Sequence, residues 1–341
     1  LAQTQLTAKE KSEIIIFMGD MFDKSRFPLN KVESMIQYFN RDYSDVLFDY
    51  FFGLEFICAD YTKTLHTLLR FELSAKKKIM IYTGLAVIAT KRLDLNKLES
   101  CLASLNAFPQ EELQTFAINP LNCLETVYYY LKYGIINKEA FTELTHFYFN
   151  PPVNDDSLKN NNANDVLCLL AVYTLSVCNS PVKTLRFINA LDKVYTHEQV
   201  NSQSFNFMLQ LAGAEAHFAL GKTCEGNKIY EEITVSYEKD KDSFTPFMKA
   251  SYYLLKVKTG LYNRDKAAMQ QALKSLIYLA DNTGLKLIKV QAFVFILLNK
   301  CKLDLDDSYI KQAYYEFTRI IRGTGFREES FVDSSVIMAI R

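Results

Sequence analysis

Residues 216–223 read AHFALGKT and match, letter for letter, the looser phosphate-binding loop pattern in which alanine replaces the first glycine. Such a loop works because a strand feeds a glycine-rich turn whose N–H groups wrap the phosphates, and a helix then follows. The stretch ahead of Gly221, SFNFMLQLAGAEAHFAL, is rich in Ala and Leu and scans as helix. His217, Phe218, Ala219 and Leu220, inside the loop itself, favour continued helix over a phosphate cradle. No acidic-ended apolar strand downstream offers a magnesium ligand. The match reads as a turn between two helices.

Other residues able to do chemistry are equally unpatterned. His66, His146, His197 and His217 never fall in HxxxH spacing, and none has a Cys or carboxylate at ligand spacing. The seven cysteines, Cys58, Cys101, Cys123, Cys168, Cys178, Cys224 and Cys301, form no CxxC pair and lie in or beside apolar runs. Buried free thiols in a reducing cytosol explain them better than zinc or disulfides. No GxSxG or similar nucleophile motif occurs. The expectation is a protein that is not an enzyme, with no cofactor and no metal. A third phrase, residues 61–97, is locally basic: Lys76, Lys77, Lys78, Lys91 and Arg92 stand among few acids. They are candidate nucleic-acid contacts, against the plainer reading of a solvated helix end.

The elements that position these residues follow from composition. The 341 residues carry 39 basic and 39 acidic side chains, so whole-chain charge favours no polyanionic partner. Only 11 Gly and 7 Pro occur, which is few for the many tight turns of a sheet-rich fold. No run approaches a membrane span and no signal segment opens the chain, so the expectation is a cytoplasmic protein with no membrane partner. Apolar helical faces broken by turns recur at Gly134, Asn179, Gly221, Gly260 and Cys301, spaced by 45, 42, 39 and 41 residues. Extended backwards, that period predicts turns at Lys91–Leu93 and near Asp60. Helix pairs at a fixed spacing cannot bury both faces alone and stack on their neighbours. The expected fold is all-α, a right-handed α-solenoid of helical hairpins with a period near 40 residues. Four regions are expected: an N-terminal helical segment (1–40), N-terminal repeats (41–149), a Pro- and Asn-rich linker loop (150–165), and C-terminal repeats (166–341) holding a ligand groove and a dimerisation end.

With Gly221 at the inter-helix glycine, Ala214 falls at the small inner-helix position and Tyr230 at the aromatic outer-helix position of the tetratricopeptide repeat, which this register resembles. Gly226 stands where that repeat prefers Ala, His217 where an aromatic is usual, and the period exceeds its usual length of about 34. The longer repeats are similar to those of cytoplasmic peptide-pheromone receptors of Gram-positive bacteria and their phages, including arbitrium, Rgg, PlcR and Rap-type regulators. Residues 43–73 are similar to the early repeats of an arbitrium receptor. The resemblance implies a repeat domain that binds a short linear peptide, an N-terminal helix-turn-helix that reads DNA, and a homodimer whose geometry or DNA affinity the peptide changes. Residues 1–40 show no helix-turn-helix. The module is therefore missing ahead of Leu1, divergent, or not part of this protein.

In such repeats, residues two, six and ten before the turn face the concave side. That register selects Tyr128, Lys132, Tyr173, Glu215, Lys258, Gln291, Phe295 and Asn299 as peptide contacts. Amides there pair with peptide backbone, and Lys and Glu select charge. The expected function is a peptide-responsive transcriptional regulator. The alternative is a helical-repeat scaffold for another protein without DNA binding.

Overall fold

Four turns of the chain close in the same way, and that closure is what makes the helices run in antiparallel pairs. One or two residues after each first helix the backbone takes positive φ: Leu93 (54°), Asn179 (50°), Gly221 (73°) and Arg264 (58°). The next N–H then reaches back to the carbonyl five residues earlier, from Asp94 to Ala89 (2.9 Å), Ser180 to Leu175 (3.0 Å), Lys222 to His217 (2.9 Å) and Asp265 to Gly260 (2.8 Å). This satisfies the carbonyls a helix end leaves open and reverses the chain within two residues. Asp94 and Asp265 serve both sides of their turns, because each carboxylate also accepts the N–H that opens the following helix, from Lys97 (3.2 Å) and Ala268 (2.9 Å).

The computed structural model describes residues 62–70, 73–116, 118–136, 162–194, 203–299 and 307–322, together with 138, 141, 142 and 144. Its regular elements are all helical, and no strand occurs among the described residues. They are α1 (Thr62–Leu68), α2 (Ala75–Arg92), α3 (Leu95–Asn106), α4 (Gln110–Gln114), α5 (Pro120–Tyr133), α6 (Asn162–Val177), α7 (Pro181–Val194), α8 (Gln203–Ala219), α9 (Thr223–Asp240), α10 (Pro246–Tyr262), α11 (Lys266–Thr283), α12 (Lys286–Leu298) and α13 (Asp307–Arg322). None is long and apolar enough to cross a membrane. The segment 1–40, all of 43–61 with the turn near Asp60, and the turn near Cys301 lie outside the described residues.

Two boundaries differ from the sequence expectation. The loop expected over 150–165 has ended by Asn162, where α6 begins. The turn expected at Gly260 comes at Arg264, because α10 runs on to Tyr262. Gly260 is instead the point of closest approach between α10 and α11. A Cβ there would lie 2.9 Å from Met269 Cβ and 3.1 Å from the Asp265 carbonyl oxygen. Backbone and Cβ cannot swing away as a side-chain tip can. We expect Gly260→Ala to lose about 1–2 kcal/mol in denaturant melts, overpacking outweighing the helix propensity Ala gains. Arg264 is the opposite case: exposed, non-glycine and left-handed. Arg264→Gly removes the Cβ strain and is expected to gain about 0.5–1 kcal/mol in the same melts.

Helices α2, α5, α6, α8, α10 and α12 touch one another in that order, while α3, α7, α9, α11 and α13 pair with them. The succession does not stay open: α12 comes back against α2. Lys91, in the last turn of α2, lies over the ring of Phe247 in the first turn of α10, and Gly284 and Lys286 share a polar groove with Arg92 and Asp94. The main core runs through these helices except α9, and α2 is buried almost all round from Ile79 to Lys91. A second, aromatic core of Phe207, Phe218, Tyr237, Phe244 and Tyr252 joins α8, α9 and α10.

Candidate functional site

Because α2, α5, α6, α8, α10 and α12 touch in a succession that closes on itself, the side chains on their facing surfaces enclose space. Two adjoining clefts open there, sharing Ser176, Val177, Ala212, Glu215, Leu287 and Gln291. The deeper holds about 740 Å³ and the outer about 970 Å³, each including its mouth. The deep cleft is mainly apolar, with Leu169, Leu211, Leu254 and Ile288 on its walls and Lys91, Tyr173, Ser176, Ser251 and Gln291 among them. The outer cleft reaches the turn residues Asn179 and Ser180, and Lys258, Phe295 and Leu298.

Five of the eight residues selected from the sequence line these clefts. Tyr173 lines the deep one; Lys258 and Phe295 line the outer one; Glu215 and Gln291 line both. Glu215 and Lys258 join α8 to α10 through a 2.9 Å ion pair, each side chain about one-fifth exposed. Once Arg264 is recognised as the turn, Tyr173, Glu215 and Lys258 each stand six residues before a left-handed turn residue. They form one column across successive helices.

The other three are elsewhere. Lys132 donates to the Tyr128 hydroxyl and sits 3.6 Å from Glu99 of α3, so this pair faces the α3 side of α5 and neither residue lines a cleft. Tyr130 and Leu131 represent α5 in the outer cleft. Asn299 caps α12, its side-chain amide donating to the Phe295 carbonyl at 2.8 Å.

The basic residues do not form one face. Lys76, Lys77 and Lys78 open α2, whereas Lys91 and Arg92 end it, about 25 Å away along an 18-residue helix. Lys91 is 4 % exposed and its Nζ lies 3.9 Å from the centre of the Phe247 ring, withdrawn from any exposed surface. It belongs to the deep cleft. Phe247, Ser176 and Ser251 are further lining residues that sequence reasoning missed. Ser251 had a findable signal, since it and Met208 stand thirteen residues before their turns at Arg264 and Gly221.

Tyr173 packs edge-on against Phe247 at 6.0 Å, and its hydroxyl is sealed from bulk water with no hydrogen-bond partner among the described residues. Burial pushes its phenol well above the ordinary range, so it stays a proton donor. Burial likewise pushes Cys178 up to about 12 and Cys101 up to about 11, so neither thiol is a ready nucleophile. No group of three or more His, Cys, Asp or Glu among the described residues is placed to hold a metal ion. At the AHFALGKT stretch, residues 216–219 are the last turn of α8, and the Gly221 and Lys222 N–H groups are spent on the Phe218 and His217 carbonyls. No protein-family model, no curated protein and no solved structure matches the chain.

Proposed function

We propose that the chain is a peptide-binding regulatory receptor, a tetratricopeptide-like superhelix wound through about one turn so that its inner helices hold a short extended peptide along the axis. The observation that carries this reading is the convergence of Tyr173, Glu215, Lys258, Gln291 and Phe295, from four successive inner helices, on one continuous pair of clefts. Apolar walls with a few fixed polar groups are what a linear peptide needs: pockets for side chains, and amide and charged partners for backbone and ends. The α12 wall from Leu287 to Leu298 is about 17 Å long, matching about five extended residues. The pairing of α12 with α2 supplies the regulatory element, since a ligand filling the axis contacts both sides of that junction. Control of transcription would be exerted by residues outside those described, and the divided basic residues of α2 are not its DNA-reading surface.

Thermal melting of the protein with a library of short synthetic peptides tests the reading. A peptide selective for the folded state raises Tm with its concentration, by about 2.7 kcal/mol of stability at a hundredfold excess over Kd. Absence of any saturable shift, with protein capture at an outer helical face instead, would identify a scaffold.

A further inference from the structure

Helices α8, α10 and α12 give the deep cleft their earlier residues and the outer cleft their later ones: Met208 then Ala219, Phe247 then Lys258, Ile288 then Leu298. The three therefore run alongside one path that leads from the deep cleft to the outer. Where the clefts meet, the polar residues Ser176, Glu215 and Gln291 line both. Deeper in, the walls are mainly aliphatic, and the Lys91 cation there is already engaged and lies over the Phe247 ring. At the boundary, Lys258 donates to Glu215 at 2.9 Å. A carboxylate accepts about four hydrogen bonds and an ammonium donates about three, so this one bond leaves most of both capacities open. The two charges cancel. The boundary therefore suits neither a free carboxylate nor an ammonium, but a neutral dipole that brings an N–H to Glu215 and a carbonyl to Lys258. The Gln291 carboxamide can serve either group.

We propose that the deep cleft is the subsite for one aliphatic side chain of leucine size, and that Glu215 and Lys258 bond the main-chain amide beside it. This rests on the peptide reading and deepens it by naming the class of residue that anchors the peptide. It also places an internal amide, rather than a chain end, at the ion pair. Burial of the side chain contributes in proportion to the apolar area removed from water, and an amide carried in with it must be paired once water is excluded. Hydrogen bonds to charged groups are the stronger kind. An ester on the same path has no N–H, which leaves Glu215 facing an oxygen.

Isothermal titration of the whole chain with neutral probes decides the matter. They are acetyl-Ala-Ala-Leu-Ala-Ala-amide, the same peptide with Ala in place of Leu, two analogues in which an ester oxygen replaces the N–H on one or the other side of Leu, and N-octylacetamide. The Leu peptide is expected to bind about tenfold or more tightly than the Ala peptide, and one of the two esters about tenfold more weakly than its parent. Ser251→Phe, which fills the deep cleft from a half-buried position on its wall, should erase the Leu preference. Glu215→Gln should shrink the ester penalty. Leu and Ala peptides that bind alike overturn the subsite and leave the peptide reading standing. A Leu preference without any ester penalty overturns the amide assignment, again without touching that reading. Binding of N-octylacetamide and of none of the peptides keeps the pairing of apolar group with amide and overturns the peptide reading. Binding of none of the probes overturns the inference, and the peptide reading is then judged by the library melts alone. The comparisons among probes are made on the unaltered protein, so the answer does not depend on either variant folding.

Discussion

Replacing Tyr252 by Ala is expected to lower the unfolding free energy by about 3–5 kcal/mol, enough to consume much of the stability of an ordinary domain. Tyr252 is 1 % exposed and stands in a line of rings drawn from three helices and a connecting segment. Its ring stacks on Tyr237 of α9 with centroids 4.1 Å apart, and Tyr230 of α9 flanks it at 6.2 Å. Beyond Tyr237 the line continues to Phe244 and then to Phe207 of α8, themselves 4.2 Å apart. Helix α9 packs broadly on α8 but touches α10 only sparsely along the backbone, so these rings are the main join between the second helix of one pair and the first of the next. Tyr252→Phe keeps the stack and loses the hydroxyl's interactions with Thr234, at 3.2 Å, and with Tyr230, and should cost about 1 kcal/mol. Urea unfolding of both variants checks the contrast, and equal losses would mean the hydroxyl rather than the stack matters.

The same cluster predicts an alkaline limit. Burial, first of all, raises the phenols of Tyr237 and Tyr252 above their ordinary value of 10.0. Below pH 10 these groups are neutral whether folded or unfolded and cost nothing. Above it the unfolded chain releases protons that the folded chain holds, so stability falls as pH rises. The part of the tyrosinate absorbance that Tyr237→Phe and Tyr252→Phe remove should therefore appear together with the loss of helical circular dichroism above about pH 10. Ionisation of these tyrosines in a chain that remains helical would contradict the burial.

The helical class and most turns were legible because turn chemistry is local. Gly221 and Asn179 declare themselves, being the residue types that tolerate positive φ. Arg264 and Leu93 occupy the same conformation without that signature, and for Arg264 the nearest glycine, Gly260, drew the expected turn four residues early. Gly260 is glycine for a reason that depends on its partner: Met269 passes too close for a Cβ. The axial column was legible in part for a related reason. A residue six positions before a turn faces inwards on α6, α8 and α10, whereas α5 is rotated so that Tyr128 and Lys132 meet Glu99 instead. The return of α12 to α2 left no local trace, since it depends on the summed rotation of successive pairs. Lys91 was misread for the same reason. Near a helix end it scans as a solvated charge, whereas in the fold it is buried and lies over the Phe247 ring of α10.

The strongest functional prediction follows from that enclosed axis. Ala212 is a buried core residue of α8 that lines both clefts. Ala212→Phe should therefore cost about 1–3 kcal/mol of stability by overpacking while retaining helical circular dichroism, and its ring occupies the path between the deep and outer clefts. Binding of any ligand that spans both should fall by more than about a hundredfold, which corresponds to about 2.7 kcal/mol. Lys222→Ala makes the matched control. Lys222 lies in the α8–α9 turn, exposed, with its backbone N–H already bonded to the His217 carbonyl, and changing its side chain should leave binding as it was. A nucleotide-binding AHFALGKT loop predicts the reverse order, because there the lysine is the phosphate contact and Ala212 only a helix residue. A partner gripping the outer helices predicts that neither change matters. Titration calorimetry with one peptide ligand across the two variants thus separates three uses of the same hairpin, and weaker binding by Ala212→Phe alone is the result that the axial cleft requires.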